Sequence, residues 1–172
     1  GLTPGELTTL CMEDKAGISK ALTELKHKDL IKSDNDGGKK VYRAKYFLTE
    51  KGKEVYQKAN SVIKEIIKPG MTDYEKVVAI WDYLEANTEY EVEAFEYAKQ
   101  HNFSMEGATG FENTFNVYGI LCKGKGVCQS YAYTFKLLFL SIKVFANSSS
   151  SNKSVISSTS SKYLSLINNI CF

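Results

Sequence analysis

The stretch "GKGVCQSYAYTFKLLF", residues 124–139, places a cysteine behind two glycines and directly ahead of an apolar run. Cys128, Tyr131, Phe135, Leu138 and Phe139 share one face at 3.6-residue spacing, which predicts a helix with the cysteine in its first turn. A thiol there meets backbone N–H groups that lack an intrahelical acceptor, and these donors, with the positive end of the helix dipole, favour thiolate. Gly124 and Gly126 permit close backbone approach in the loop before it. Against this stands the ordinary fate of a free cysteine, which is burial as a small hydrophobe. Periodicity alone favours the core thiol, because a nucleophile also needs a base.

The 172 residues are 43% hydrophobic and 24% charged with a formal net charge of +2. That composition describes a globular chain with room for one domain or two small ones. A membrane-embedded protein is not expected, since the longest apolar stretch, residues 135–146, is interrupted by Lys136 and Lys143. No secretory leader pattern precedes the first helix, and the chain opens on glycine, as a fragment would. The four cysteines, Cys11, Cys122, Cys128 and Cys171, form no CxxC pair and have no histidine nearby. Neither a metal nor another cofactor is expected, and a reducing cytoplasm is the simplest compartment.

Charge divides the chain. Residues 1–60 carry 12 Lys/Arg against 9 Asp/Glu, and residues 61–145 carry 8 against 11. The basic excess lies between Lys15 and Lys45, on a recognisable pattern. Leu7, Leu10 and Cys11 make a short apolar face, a turn follows at Glu13 and Asp14, and Ile18, Leu22 and Leu25 make a second face ending near Leu30 and Ile31. Two short helices with a tight connection read as helix-turn-helix. Turning Ile18, Leu22 and Leu25 inward puts Ser19, Lys20 and Thr23 outward, where hydroxyls and an ammonium suit base edges and phosphates. Asn35, Asp36, Gly37 and Gly38 then supply hairpin chemistry, and residues 41–48 are rich in strand formers. Lys39, Lys40, Arg43 and Lys45 make that hairpin a basic wing.

"DKAGISKALTELKHKDLI" and "VYRAKYFLTEKGKEV" together resemble the MarR family of bacterial transcription regulators over about residues 2–58. The resemblance implies duplex DNA as partner, with Ser19, Lys20 and Thr23 on the recognition helix and Lys39, Lys40 and Arg43 on the wing. Many family members carry an Asp-x-Arg-Arg wing tip; Asp36-Gly37-Gly38-Lys39-Lys40 here offers point charge without a planar fork. The helices through which the family dimerises are largely missing, so a monomer would reach one half-site only.

Thr49 is positioned to cap the next helix, in which Val55, Ala59, Val62, Ile63 and Ile66 recur until Lys68-Pro69-Gly70. No flexible linker follows. Asp73 is the expected cap of a further helix whose stripe, Tyr74, Val77, Val78, Trp81 and Leu84, reads as core. From residue 62 to 139 the chain resembles the bacterial transglutaminase-like family, which has a papain-like cysteine fold. The segments that carry this are "IIKPGMTDYEKVVAIWDYLEANTEY" and "NVYGILCKGKGVCQSYAYTFKLLF". That resemblance makes Cys128 the nucleophile, with a peptide or protein substrate. In the family a histidine and an aspartate follow the cysteine, whereas no His, Asp or Glu follows Cys128 here. His27 falls on the helix that would meet DNA. His101, in a loop with Glu106 and Glu112, would reach Cys128 only by an arrangement foreign to the family.

"SIKVFA", residues 141–146, resembles the strand that should follow the cysteine helix, and ten of the eighteen residues from Ser148 to Ser165 are serine. Residues 147–162 are therefore expected to lack order. A reading frame lost near Leu140 would account for this tail. The expected architecture is α+β: a small winged helix-turn-helix domain at 1–60, a mostly helical, truncated transglutaminase-like domain at 61–145, and a disordered serine-rich tail at 146–172. Three functions compete: DNA binding by the first unit, thiol acyl transfer or peptide hydrolysis through Cys128, and an interaction-only or non-functional chimeric product.

Overall fold

The computed structural model describes residues 1–11, 14–35, 44–103 and 109–149. These residues are mostly helical with a few short strands, in the order α1 (Pro4–Cys11), α2 (Lys15–His27), β1 (Ile31–Ser33), β2 (Tyr46–Leu48), α3 (Glu50–Ile66), α4 (Asp73–Asn87), β3 (Glu89–Tyr90), α5 (Val92–Gln100), a π-helical turn (Gly119–Lys123), β4 (Lys125–Gly126) and α6 (Cys128–Ser149). Among them no helix is long and apolar enough to cross a membrane.

Caps explain where the first helices begin. Thr3 and Glu6 satisfy each other's orphan backbone donors around Pro4, the first residue of α1. Asp14 accepts from the Gly17 amide at 2.6 Å and starts α2. Ile18, Ala21, Leu22 and Leu25 bury one face of α2 beside Leu7 of α1. The helix stops at His27, Asp29 takes a left-handed conformation with φ 55°, and Ile31 already belongs to β1. β1 and β2 pair antiparallel, Ile31 opposite Leu48. The side chains of Leu10 and Cys11, the turn residue Glu13, and hairpin residues 36–43 with Lys39, Lys40 and Arg43 lie outside the described residues.

Thr49 caps α3 as expected and also donates to the Asp29 carbonyl at 2.6 Å, fixing the helix to the α2–β1 turn. Val55, Ala59, Val62 and Ile63 form its buried stripe. α3 packs against β2 on one side and against α4, the π-helical turn and α6 on the other. A single buried cluster consequently runs from Leu7 and Leu25 through Val55 and Ile63 to Ile120, Leu138 and Ile142.

Three expectations are corrected. The cap of α4 is Thr72, not Asp73, because Thr72 and Glu75 form a reciprocal capping box while Asp73 is the first helical residue. The α4 stripe is core only in part: Leu84 is buried, beside Ile80, and Val77 and Val78 are half-buried, but Tyr74 is 77% and Trp81 63% exposed. "SIKVFA" is not a strand, since α6 runs unbroken from Cys128 to Ser149. Residues 128–149 contain no glycine or proline to stop a growing helix, so propagation carries it into the first residues of the expected disordered tail. Residues 150–172 lie outside the described residues.

Candidate functional site

Two separate surfaces carry the residues that the sequence singles out. On α2, Ser19, Lys20 and Thr23 are exposed while Ile18, Ala21, Leu22 and Leu25 are buried, so the inward and outward faces fall as the spacing predicts. The Thr23 hydroxyl donates to the Ser19 carbonyl at 2.9 Å, which leaves its oxygen lone pairs toward solvent. Lys26 and His27 occupy the last turn, where positive charge suits the helix dipole. Lys28, just beyond, lies over the Tyr133 ring of α6 at 4.2 Å, and burial lowers its ammonium pKa against the pull of Glu24. Lys28 is thus drawn to the body of the molecule, away from the exposed face of α2.

The second surface is built where the end of α4 meets the start of α6. The chain closes there through a parallel two-residue pairing of β3 with β4, extended by Glu89 N–H to Gly124 O and Glu91 N–H to Gly126 O, both at 2.8 Å. Gly124 ends the π-helical turn with φ 71°, a conformation that glycine adopts without a Cβ penalty. At Gly126 a Cβ would collide with Ser130 Oγ and Ile120, so the loop ahead of Cys128 requires its second glycine for space. Buried Ser130 accepts from the Val127 amide at 2.9 Å and donates to the Val127 carbonyl at 2.8 Å, locking the first turn of α6.

Cys128 is the first residue of α6 and is exposed, which corrects the core-thiol expectation. Within residues 128–142 of this helix the buried positions are Ser130, Thr134, Leu137, Leu138, Ser141 and Ile142, a stripe that leaves position 128 outside it. Cys128 opens onto a cavity of about 770 Å³ bounded by α4, β3 and α6. Trp81, Leu84 and Glu85 of α4 and Tyr131, Ala132 and Phe135 of α6 line it together with Thr88 and Tyr90. Thr88 and Tyr131 hydroxyls are hydrogen-bonded at 2.7 Å, and the Tyr90 and Tyr131 rings stack at 6.4 Å and 17°. Burial raises the Tyr90 phenol pKa, while the Cys128 backbone amide, by hydrogen-bonding the phenol, pulls it back.

No histidine lines this cavity. His101 caps the end of α5, its Nδ1 2.8 Å from the Tyr97 carbonyl and its ring stacked on Tyr97 at 4.0 Å. Glu112 accepts from the Gly110 amide, and Glu106 lies outside the described residues. The phenol of Tyr90 is the titratable group that meets Cys128. Sequence reasoning missed Tyr90 and misplaced Trp81; a two-residue strand has no period to betray Tyr90, and an amphipathic stripe does not say what covers it. Among the described residues no group of three His, Cys, Asp or Glu side chains is placed to hold a metal ion. No family model matches this chain, and no curated protein or solved structure is significantly similar to it.

Proposed function

We propose that the chain binds duplex DNA through residues 1–58, acting as a winged helix of the kind found in MarR-type regulators. The observation that carries this is the exposed face of α2, Ser19, Lys20 and Thr23, on the second of two short helices and directly ahead of an antiparallel hairpin. Such a helix enters the major groove while basic hairpin residues, here Lys39, Lys40 and Arg43, lie along the phosphates. The test is anisotropy of a labelled duplex at about 50 and about 200 mM salt, where phosphate contacts make affinity fall steeply. Lys20→Ala is expected to weaken binding to all sequences and flatten the salt slope by about one. Absence of binding at the lower salt concentration overturns the proposal.

A second reading is thiol chemistry by a transglutaminase-like unit, favoured by the exposure of Cys128 at a helix start beside a cavity. The sulfur would attack a peptide or glutamine carbonyl, expelling the amine after proton transfer and leaving a thioester for water or another amine to resolve. With no imidazole among the lining residues, proton transfer falls to solvent, to Tyr90 or to the Glu85 carboxylate. An acyl-enzyme adduct detected by mass on Cys128 with an activated ester, and lost in Cys128→Ser, is the expected result of this reading.

A further inference from the structure

We infer that the cavity between α4 and α6 is a binding site for an apolar organic cation, an aryl- or alkylammonium group. This goes beyond DNA binding and requires neither the α2 face nor the Cys128 thiol. A space of about 770 Å³ lies within the range that small ligands occupy. Its walls bring four aromatic side chains together, Trp81 from α4, Tyr90 from β3, and Tyr131 and Phe135 from α6. Aromatic faces are negative by quadrupole and attract cations whose hydration is weak.

Charge selects the ligand sign. Among the described residues Glu85 is the single charged side chain on the lining, and no lysine, arginine or histidine accompanies it. Among the described residues no cation pairs with Glu85. A carboxylate or phosphate would therefore be desolvated against rings and repelled at the rim, whereas an ammonium gains both the rings and the carboxylate. One wall is prearranged: Tyr131 is held by Thr88 and by stacking on Tyr90, so that ring has little freedom left to lose on binding.

The chain has one tryptophan, Trp81, on the cavity wall, so emission excited beyond the tyrosine absorption band reports from this site. Benzyltrimethylammonium is titrated into the full chain beside 3-phenylpropanol and 3-phenylpropanoate, which match its size with no charge and with negative charge. Saturable quenching by the ammonium, with the alcohol weaker and the anion weakest, is expected. Glu85 is exposed, so Glu85→Gln keeps the fold, checked by circular dichroism, and weakens the ammonium by about three- to fivefold, as for the loss of a solvent-screened ion pair. Equal binding of the three probes, no saturable quenching, or an unchanged affinity in Glu85→Gln would each overturn the inference.

Discussion

Two cysteines within one turn of the cavity loop have opposite environments. Cys122 is half-buried in the π-helical turn, and burial, assisted by the Glu54 carboxylate, pushes its thiol up to about 11 against the opposing pull of Lys123 and Lys58. Cys128 stands exposed at the start of α6. Alkylation follows thiolate fraction and access, so with iodoacetamide at about pH 8, peptide mapping is expected to find Cys128 modified well before Cys122. Equal rates would mean that the turn opens faster than it is labelled. The same residue carries a pH signature. The folded-state value of Cys122 lies above its ordinary value of 9.0, so above pH 9 the unfolded chain gives up this proton while the native one keeps it. Its contribution to stability is present below that value and is lost as pH rises toward about 11. The urea midpoint of the native chain should fall over this range more than that of Cys122→Ala.

At the scale of elements, α3 depends on one hydroxyl and one missing methyl. Thr49 Oγ1 accepts from the Gly52 amide at 3.0 Å and donates to the Asp29 carbonyl, so Thr49→Ala loses a cap and a tie to the α2–β1 turn. A loss of about 1 to 2 kcal/mol by urea unfolding is expected. Gly52 packs directly on the Leu30 carbonyl, and a Cβ there meets backbone that cannot rotate away. Gly52→Ala is expected to destabilise despite its helix propensity gain of about 1 kcal/mol, because overpacking costs about 1 to 3 kcal/mol. These elements also show what the sequence made legible. Thr49 ahead of a clean apolar period announced α3, and the spacing on α2 separated Ser19, Lys20 and Thr23 from their buried neighbours. Period alone did not distinguish a stripe that is covered from one that is bare, which is why Tyr74 and Trp81 were expected inside. It was equally silent on β3 and β4, whose pairing rests on long-range contacts of two residues each. The candidate site was half legible: Cys128 and its glycines stand out in the sequence, whereas its Tyr90 and Trp81 walls are set by tertiary packing.

At the scale of the molecule, α3 joins what the sequence separates. One of its faces closes over β2, and other positions pack on the π-helical turn and α6. Polar contacts cross at the same level, with the Tyr118 hydroxyl 2.8 Å from Glu54 Oε2 and Lys28 over Tyr133. Because the buried cluster is continuous from Leu7 to Ile142, a defect in α6 should be felt in the helices that carry the DNA-binding proposal. Leu138 is fully buried at the centre of α6 and tests this directly. Leu138→Ala removes packed methyl groups and leaves a void, a cost of about 2 to 5 kcal/mol. If the cluster unfolds as one unit, hydrogen exchange in the variant accelerates at the core amides of α2 and α3 by the same factor as in α6. Acceleration confined to α4 and α6, with Ile18 and Val55 amides unchanged, would instead show two units that unfold separately. The first outcome makes α6 packing a determinant of how firmly the α2 face is held; the second makes residues 1–66 testable for DNA binding independently of the cavity.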